Sequence, residues 1–491
     1  MSPALARQAG TALLWKGIQL FGSRTISLAR YLVLAHLLVP DEFGLFAIAL
    51  VPLEVLSSAT DFGMIPALVQ RNESDDRTYD IAWTIGLARA AAISGSVLLA
   101  APLLAELFAE PRATGVLRLL ALRPLIGACA SIKVADLERR LQFRPLTLIE
   151  VPATFAGAVA SVALASAFGV TALVAGALIG SATRTAMSYA LAPHRPRLVF
   201  DVAPARSLFR FGRWVFLTGL VAVGGDAVLR AVISRRLGAE ELGLYFLAAN
   251  LAALPNDVVS ELVVAVAFPV HALIQADVRR VGRTFRATVI AMAAVLCPVY
   301  ALLIALAPQL VHYLLGARWT AAEPILPLLA IAGILGISYD ATAPMLEGRG
   351  EPHKVTVLHA IISITVVLLA WPLAGTYGLV GAALAWLLAQ GVMLIACVIF
   401  SRRILHGSVT GLAKPISAIV AASIAGGVTA LALRGALPGV VGLVATVLAA
   451  CGVTAIVLLG LELRFDLGLG RDVTQAFPRI ARVRRSAPRP G

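Results

Sequence analysis

The chain has 491 residues, 59% of them hydrophobic and only 14% charged, with a formal net charge of +14. A soluble domain carries about 45–50% apolar and about 25% charged residues, so this composition argues against a soluble enzyme or binding module and for an all-α polytopic membrane protein. Cys129, Cys297, Cys397 and Cys451 all lie in apolar segments with no CxxC or Cys/His spacing, which suits inert thiols rather than a disulfide frame or a metal centre.

Apolar stretches near the ~20 residues needed to span a bilayer predict fourteen transmembrane helices. They fall at 11–38, 42–69, 79–107, 115–136, 146–167, 170–191, 208–236, 240–271, 284–306, 324–346, 354–373, 377–401, 414–434 and 438–462. Pro40, Pro111, Pro145, Pro193, Pro352, Gly378 and Pro438 punctuate the breaks.

Segment 1 runs past the 7–15 apolar residues of a signal-peptide core and is expected to stay in place as a spanning helix. At 100° per residue its Lys16, Gln19, Ser23, Ser27 and Arg30 fall within an arc of about 80°, with Arg24 at the margin. That stripe predicts one wall of an aqueous cavity. Segment 2 repeats the pattern with Glu54, Ser57, Ser58 and Asp61, and segment 3 carries Arg89. Arg118, Arg123 and Arg184 lie near segment ends, where a long side chain reaches the interface. Segment 7 places Asp226 and Arg230 one turn apart, and segment 8 carries Asn250, Asp257 and Glu261 around Pro255.

A charge at mid-membrane costs about 2.5–3.5 kcal/mol on insertion scales, so Arg24, Arg30, Arg89 and Arg230 require water, a partner or a ligand. Two readings stand for Glu54 and Asp226: a cavity lining, or structural ion pairs, Glu54 with an arginine of segment 1 and Asp226 with Arg230. Asp257 and Glu261 likewise read either as a proton-loading pair or as partners of arginines. His359 of segment 11 is either a proton relay or a hydrogen bond between helices.

The chain contains an internal repeat. Trp15 aligns with Trp214, and Asp41-Glu42-Phe43-Gly44-Leu45-Phe46 with Glu240-Glu241-Leu242-Gly243-Leu244-Tyr245, at a constant offset of 199. Duplications of this kind build two-lobed transporters with the substrate path at the lobe interface. The expected organisation is an N-terminal lobe at 1–192, a linker at 193–207, a C-terminal lobe at 208–403, two appended helices at 404–463 and a basic tail at 464–491.

With the amino terminus inside, 29 Lys and Arg fall in the cytoplasmic segments and five in the outer loops, so both termini are expected in the cytoplasm. The basic tail is short and has no folded module beside it, which suits anionic lipid headgroups and argues against nucleic acid.

Several runs resemble a known family: Asp226…Leu237-Gly238…Leu242-Gly243-Leu244-Tyr245…Ala248…Pro255, Arg140-Leu-Gln-Phe143, Trp319 with Pro324, Leu346-Glu-Gly348-Arg-Gly350-Glu-Pro352, and Gly378-Leu-Val-Gly381-Ala-Ala383. In order and spacing they are similar to the polysaccharide transporter family, the Wzx-type members of the multidrug/oligosaccharidyl-lipid/polysaccharide (MOP) flippase superfamily. The resemblance implies a flippase moving a polyprenyl-diphosphate-linked oligosaccharide across the bacterial cytoplasmic membrane for capsule, O-antigen or exopolysaccharide assembly, alongside polymerase and export machinery. Arg24, Arg30, Arg89 and Arg230 would then meet the diphosphate, Gln19, Ser23, Ser27 and Asn250 the sugars, and Glu54, Asp226, Asp257 and Glu261 a coupling ion. No cofactor is implied, and the Gly-rich segments lack the GxxxxGK[ST] of a nucleotide-binding loop. The alternative is a cation-coupled drug or metabolite antiporter of the same superfamily. An enzyme is disfavoured: the loop at 307–323, with His312, Arg318 and Glu323, is the one candidate for a site and reads as a loop helix.

Overall fold

The computed structural model describes residues 3–60, 76–140, 142–199, 202–274, 277–405, 410–434 and 439–465. Asp61 and the basic tail beyond residue 465 lie outside the described residues. Among the described residues there is helix and no strand.

The first half comprises α1 (Pro3–Leu37), α2 (Pro40–Ala59), α3 (Asp76–Leu107), α4 (Ala113–Leu120), α5 (Leu122–Ala128), α6 (Val134–Arg139), α7 (Phe143–Phe168) and α8 (Val170–Leu191). The second comprises α9 (Val202–Leu237), α10 (Ala239–Ile274), α11 (Val278–Ala305), α12 (Ile325–Gly348), α13 (Pro352–Leu405), α14 (Ala413–Leu433) and α15 (Gly439–Phe465). Ten of the described helices are long and apolar enough to cross a membrane. One of these, α13, carries segments 11 and 12 together and changes direction at Gly378, whose φ of 57° and ψ of −136° are not helical. The polar α1 and α9 are outside the ten, although each spans more than thirty residues.

Outward-facing apolar side chains give the reason for a bilayer. Leu99, Leu103 and Leu107 of α3 are 86%, 69% and 55% exposed at a spacing of four, a continuous apolar stripe that water would not tolerate and lipid tails would. Ile364 and Leu368 of α13 form a similar stripe.

Segment 4 departs from expectation. Instead of one helix over 115–136 it forms α4 and α5 with a break at Ala121, followed by turns and the short α6. Pro124 is the cause: it has no N–H for the Leu120 carbonyl four residues earlier, and its ring crowds that oxygen. The 307–323 stretch is a loop helix in three pieces, Ala307–Leu310, Val311–Leu315 and Ala317–Ala322, pinned by Trp319, which is fully buried.

The chain forms two compact units, one of Met1–Leu247 with Ala370–Leu379 and one of Ala248–Leu369 with Val380–Gly491. That boundary reflects proximity and differs from the one expected from the repeat at 193–207. Within the first unit the two copies of the repeat meet reciprocally. A Cβ on Gly44 of α2 would lie 1.8 Å from the Ala239 carbonyl oxygen, and a Cβ on Gly243 of α10 would lie 1.8 Å from the Pro40 carbonyl oxygen. Gly44 is equivalent to Gly243 and Pro40 to Ala239, so this is a two-fold contact between homologous helix starts. A second echo of the repeat is the pair of connectors Gly169 and Gly378, with φ of 54° and 57°, each joining two helices through a backbone turn that a side chain would strain.

Candidate functional site

The polar stripe of α1 keeps its chemistry in the folded chain. Gln19, Ser23, Ser27 and Arg30 are half-buried along the helix, and Gln19 Oε1, Ser23 Oγ and Arg30 Nε are buried atoms with no hydrogen-bond partner. The Arg30 guanidinium lies 4.6 Å from the Tyr31 ring centroid, a cation–π contact that does not satisfy Nε. Arg24 is half-buried on the same helix. Buried polar atoms ordinarily find partners, so three orphans along one stripe indicate that water or a ligand completes it.

Arg230 of α9 is held between two carboxylates. Its Nη1 donates to Glu54 Oε2 of α2 at 3.1 Å, and its Nη2 lies 2.7 Å from Asp226 Oδ2 one turn earlier. The guanidinium is only 18% exposed while Glu54 is 47% exposed, so the acid is the accessible end of the triad. The Asp226–Arg230 pair agrees with the pairing reading. The partner of Glu54 is a correction: it is Arg230, not an arginine of α1. The reason is close packing of α2 on α9, where Ser58 Oγ donates to the Gly219 carbonyl at 3.1 Å and a Cβ on Gly219 would lie 2.5 Å from the Ser58 carbonyl oxygen.

Arg89 of α3 closes the end of α2. Its Nε donates to Thr60 Oγ1 at 2.9 Å and its Nη2 to the Ser57 carbonyl, one of the acceptors left open at a helix C-terminus. It also lines a cavity of about 500 Å³ with Ser57, Trp83, Glu138 and Arg184. Burial pushes the Glu138 carboxyl up in this cavity, against the pull of nearby Lys16 and Arg184. The α1 stripe does not line it. Arg184 is engaged with Glu150 of α7 at 2.6 Å.

The stretch after α8 is clipped to α3. Asp80 Oδ1 accepts the Arg197 N–H at 3.1 Å and lies 3.2 Å from His194 Nε2, while Thr84 Oγ1 accepts the Val199 N–H at 3.1 Å. In the loop after α3, Arg112 bridges Glu110 at 2.6 Å and Asp41 at 2.8 Å.

In the second unit, Asn250 is exposed and Asp257 and Glu261 are half-buried on α10. Beside them stands a residue the stripes did not indicate. Asp340 of α12 accepts a hydrogen bond from Asn256 Nδ2 at 2.8 Å. His359 of α13 bonds the Tyr339 hydroxyl of α12 at 2.7 Å, which is the helix-to-helix role. The four cysteines are free, Cys297 and Cys397 buried, Cys129 and Cys451 exposed.

The long apolar helices and their outward-facing stripes define a multi-pass membrane protein. The fold is that of the lipid II flippase MurJ in its inward closed conformation, with a TM-score of 0.75 at 16% identity, covering 90% of this chain and 97% of MurJ. The family model described as "Polysaccharide biosynthesis protein" matches residues 33–324, more than half of the chain, and the protein belongs to that family. Among its relatives is the succinoglycan biosynthesis transport protein ExoT of Rhizobium meliloti (strain 1021), 28% identical over 339 residues, 69% of this chain and 68% of ExoT. The lipopolysaccharide biosynthesis protein WzxC of Escherichia coli (strain K12) is 24% identical over 372 residues, 74% of this chain and 75% of WzxC.

Proposed function

We propose that the protein flips a polyprenyl-diphosphate-linked oligosaccharide from the cytoplasmic to the outer face of a bacterial cytoplasmic membrane, by alternating access, for capsule, O-antigen or exopolysaccharide assembly. The observation that carries this reading is the row of unpartnered buried polar atoms on α1, Gln19 Oε1, Ser23 Oγ and Arg30 Nε. A diphosphate and a sugar chain would satisfy such atoms, whereas an apolar or cationic cargo would leave the guanidinium uncompensated. Arg24 and Arg30 are the anion-binding pair in this scheme, with Gln19, Ser23, Ser27 and Asn250 along the sugar. Arg89 and Arg230 contribute positive potential while held by their own partners, and Glu54, Asp226, Asp257 and Glu261 are the acids available for ion coupling. The lobes are 1–192 and 208–403, both termini are cytoplasmic, and the protein acts as a transporter without a catalytic step, handing its cargo to polymerase and export machinery.

Export of the glycan in a strain lacking the native gene tests this. Arg24→Ala and Arg30→Ala each lower export at normal membrane abundance, and Lys at either position rescues in part, because an ammonium lacks the planar fork that matches two phosphate oxygens. Normal export by both alanine variants would overturn the reading.

A further inference from the structure

We infer that a cavity at the start of α3, wholly inside the first unit, is a site for the phosphate headgroup of an anionic phospholipid, held by Lys133, Arg195 and Arg197. Its lining comes from α3, the turn before α6, the end of α8 and the stretch that follows, with nothing from the α1 stripe. Binding there stands on the local structure and does not depend on what the protein transports.

The cavity measures about 690 Å³, and its lining is dominated by Asp76, Asp80, Lys133, His194, Arg195 and Arg197. Small-ligand sites run from about 300 to 1,000 Å³, and a wall this polar suits an ion rather than an apolar molecule. The two acids are already engaged. Asp76 Oδ1 lies 2.9 Å from Lys133 Nζ, while Asp80 Oδ1 accepts the Arg197 backbone N–H at 3.1 Å and stands 3.2 Å from His194 Nε2.

The cations are in excess. Among the described residues, neither the Arg195 nor the Arg197 guanidinium has a carboxylate partner. The His194 side chain is only 3% exposed, yet its Nε2 is a buried atom without a hydrogen bond of good geometry. The fold also holds the two arginines in place through their backbone: Asp80 and Thr84 of α3 take the N–H groups of Arg197 and Val199, and Pro196 restricts the chain between the arginines. Positive charge gathered over a concave wall focuses its field on an anion, and a guanidinium fork matches two oxygens of a phosphate.

The level of the cavity decides which anion it meets. Both α3, which begins at Asp76, and α8, which ends at Leu191, are long and apolar enough to span the membrane, and the cavity sits where these two ends come together. That is the depth of phospholipid headgroups. Tyr189 in its wall donates its hydroxyl to the Cys129 carbonyl at 2.8 Å, an aromatic residue at headgroup level. Leu198, next to Arg197, is 64% exposed, an apolar side chain placed to enter the boundary between headgroups and acyl chains. A soluble anion would have no use for that leucine. A headgroup bound here ties the stretch after α8 more firmly to α3, so the stability of the first unit depends on the lipid around it.

The test is thermal unfolding of the purified full-length protein in a neutral detergent, titrated with phosphatidylglycerol, phosphatidylcholine or inorganic phosphate at constant pH and ionic strength. The wild type should gain a saturable rise in midpoint with phosphatidylglycerol that phosphatidylcholine does not give. Arg195→Gln and Arg197→Gln should each raise the half-saturating amount of phosphatidylglycerol about fivefold, the loss of one basic contact at an anionic surface. Both side chains are exposed, so neither substitution disturbs the core. Arg195→Lys should keep most of the response. Arg283→Gln, an exposed arginine of α11 in the second unit, should leave it unchanged. An equal response to phosphatidylcholine overturns the proposal, as does an undiminished response in both Arg195→Gln and Arg197→Gln. An equal loss in Arg283→Gln also overturns it, because it would mean diffuse attraction over the whole basic surface. A rise reproduced by inorganic phosphate alone would give the cavity to a soluble anion and overturn the lipid assignment. The measurement uses no glycan, so its failure leaves the flippase reading standing, and failed export with an intact lipid response would do the reverse.

Discussion

The reciprocal contact between α2 and α10 gives a prediction whose sign is set by two opposing terms. Replacing Gly44 with Ala adds a methyl group 1.8 Å from the Ala239 carbonyl oxygen. A carbon and a carbonyl oxygen rest at about 3.3 Å or more, so the helices must part by roughly 1.5 Å, and the obstacle is backbone that cannot rotate away. Overpacking of this kind costs about 1–3 kcal/mol, and the rigid oxygen places Gly44→Ala near the upper end. Against it stands the gain from replacing a helical glycine by alanine, about 1 kcal/mol. The net expectation is a loss of about 2 kcal/mol, and the same for Gly243→Ala, whose methyl would strike the Pro40 carbonyl. Gly17→Ala and Gly95→Ala are the controls, since a Cβ at either position meets nothing within 4 Å, and they should be neutral or slightly stabilising. The double variant should lose less than the sum, because the separation forced by one methyl makes room for the other. Chemical unfolding in detergent micelles compares all five variants with the wild type. Gly44→Ala or Gly243→Ala at or above wild-type stability would refute the contact.

Other expectations concern charge and topology. Arg230→Ala should destabilise the protein more than Glu54→Gln, because it leaves Glu54 and Asp226 facing each other without a cation, and Arg230→Ala with Glu54→Gln should recover part of the loss in the same unfolding assay. Glu110 is held below its usual 4.5 by the hydrogen bond from Arg112. With the folded pKa depressed, its contribution is present above about 4.5 and lost as pH falls through the folded value, so Arg112→Ala should flatten the acid limb of a stability–pH profile; an unchanged limb would count against the pairing. Introduced cysteines should label from the cytoplasm at 193–206 and at 402–414 and from outside at 307–323, and external labelling of the 402–414 loop would break the fourteen-helix topology.

Helix positions were legible because apolar length and proline or glycine punctuation are local properties. Break points inside a segment were less so: Pro124 divides α4 from α5 within a run whose apolar length is enough for one helix. The α1 stripe could be read from helical periodicity alone, since amphipathicity needs no knowledge of neighbours. Which helix faces Glu54 could not, because that depends on Gly219 allowing α9 to approach α2, a tertiary fact. Asp340 escaped for a different reason. Its signal was a lone acid within an apolar run, whose meaning depends on Asn256 from another helix.

The mutual seating of Gly44 on Ala239 and of Gly243 on Pro40 also bears on ancestry. A half-length chain carrying one copy of the motif would meet its twin in just this way, each subunit offering the same patch to the other. In such a homodimer every charge occurs twice, related by the axis. A single chain is free of that restriction, and the two copies differ in chemistry: Tyr31 corresponds to Arg230, Ser27 to Asp226, and Glu54 to Ala253. An arginine flanked by two acids on one side, facing a phenol and a serine at the equivalent positions on the other, is an arrangement no symmetric dimer could encode. The shared scaffold is thus two-fold where backbones touch and one-sided where Arg230 pairs with Glu54 and Asp226, which gives a duplicated protein a means of telling its two halves apart.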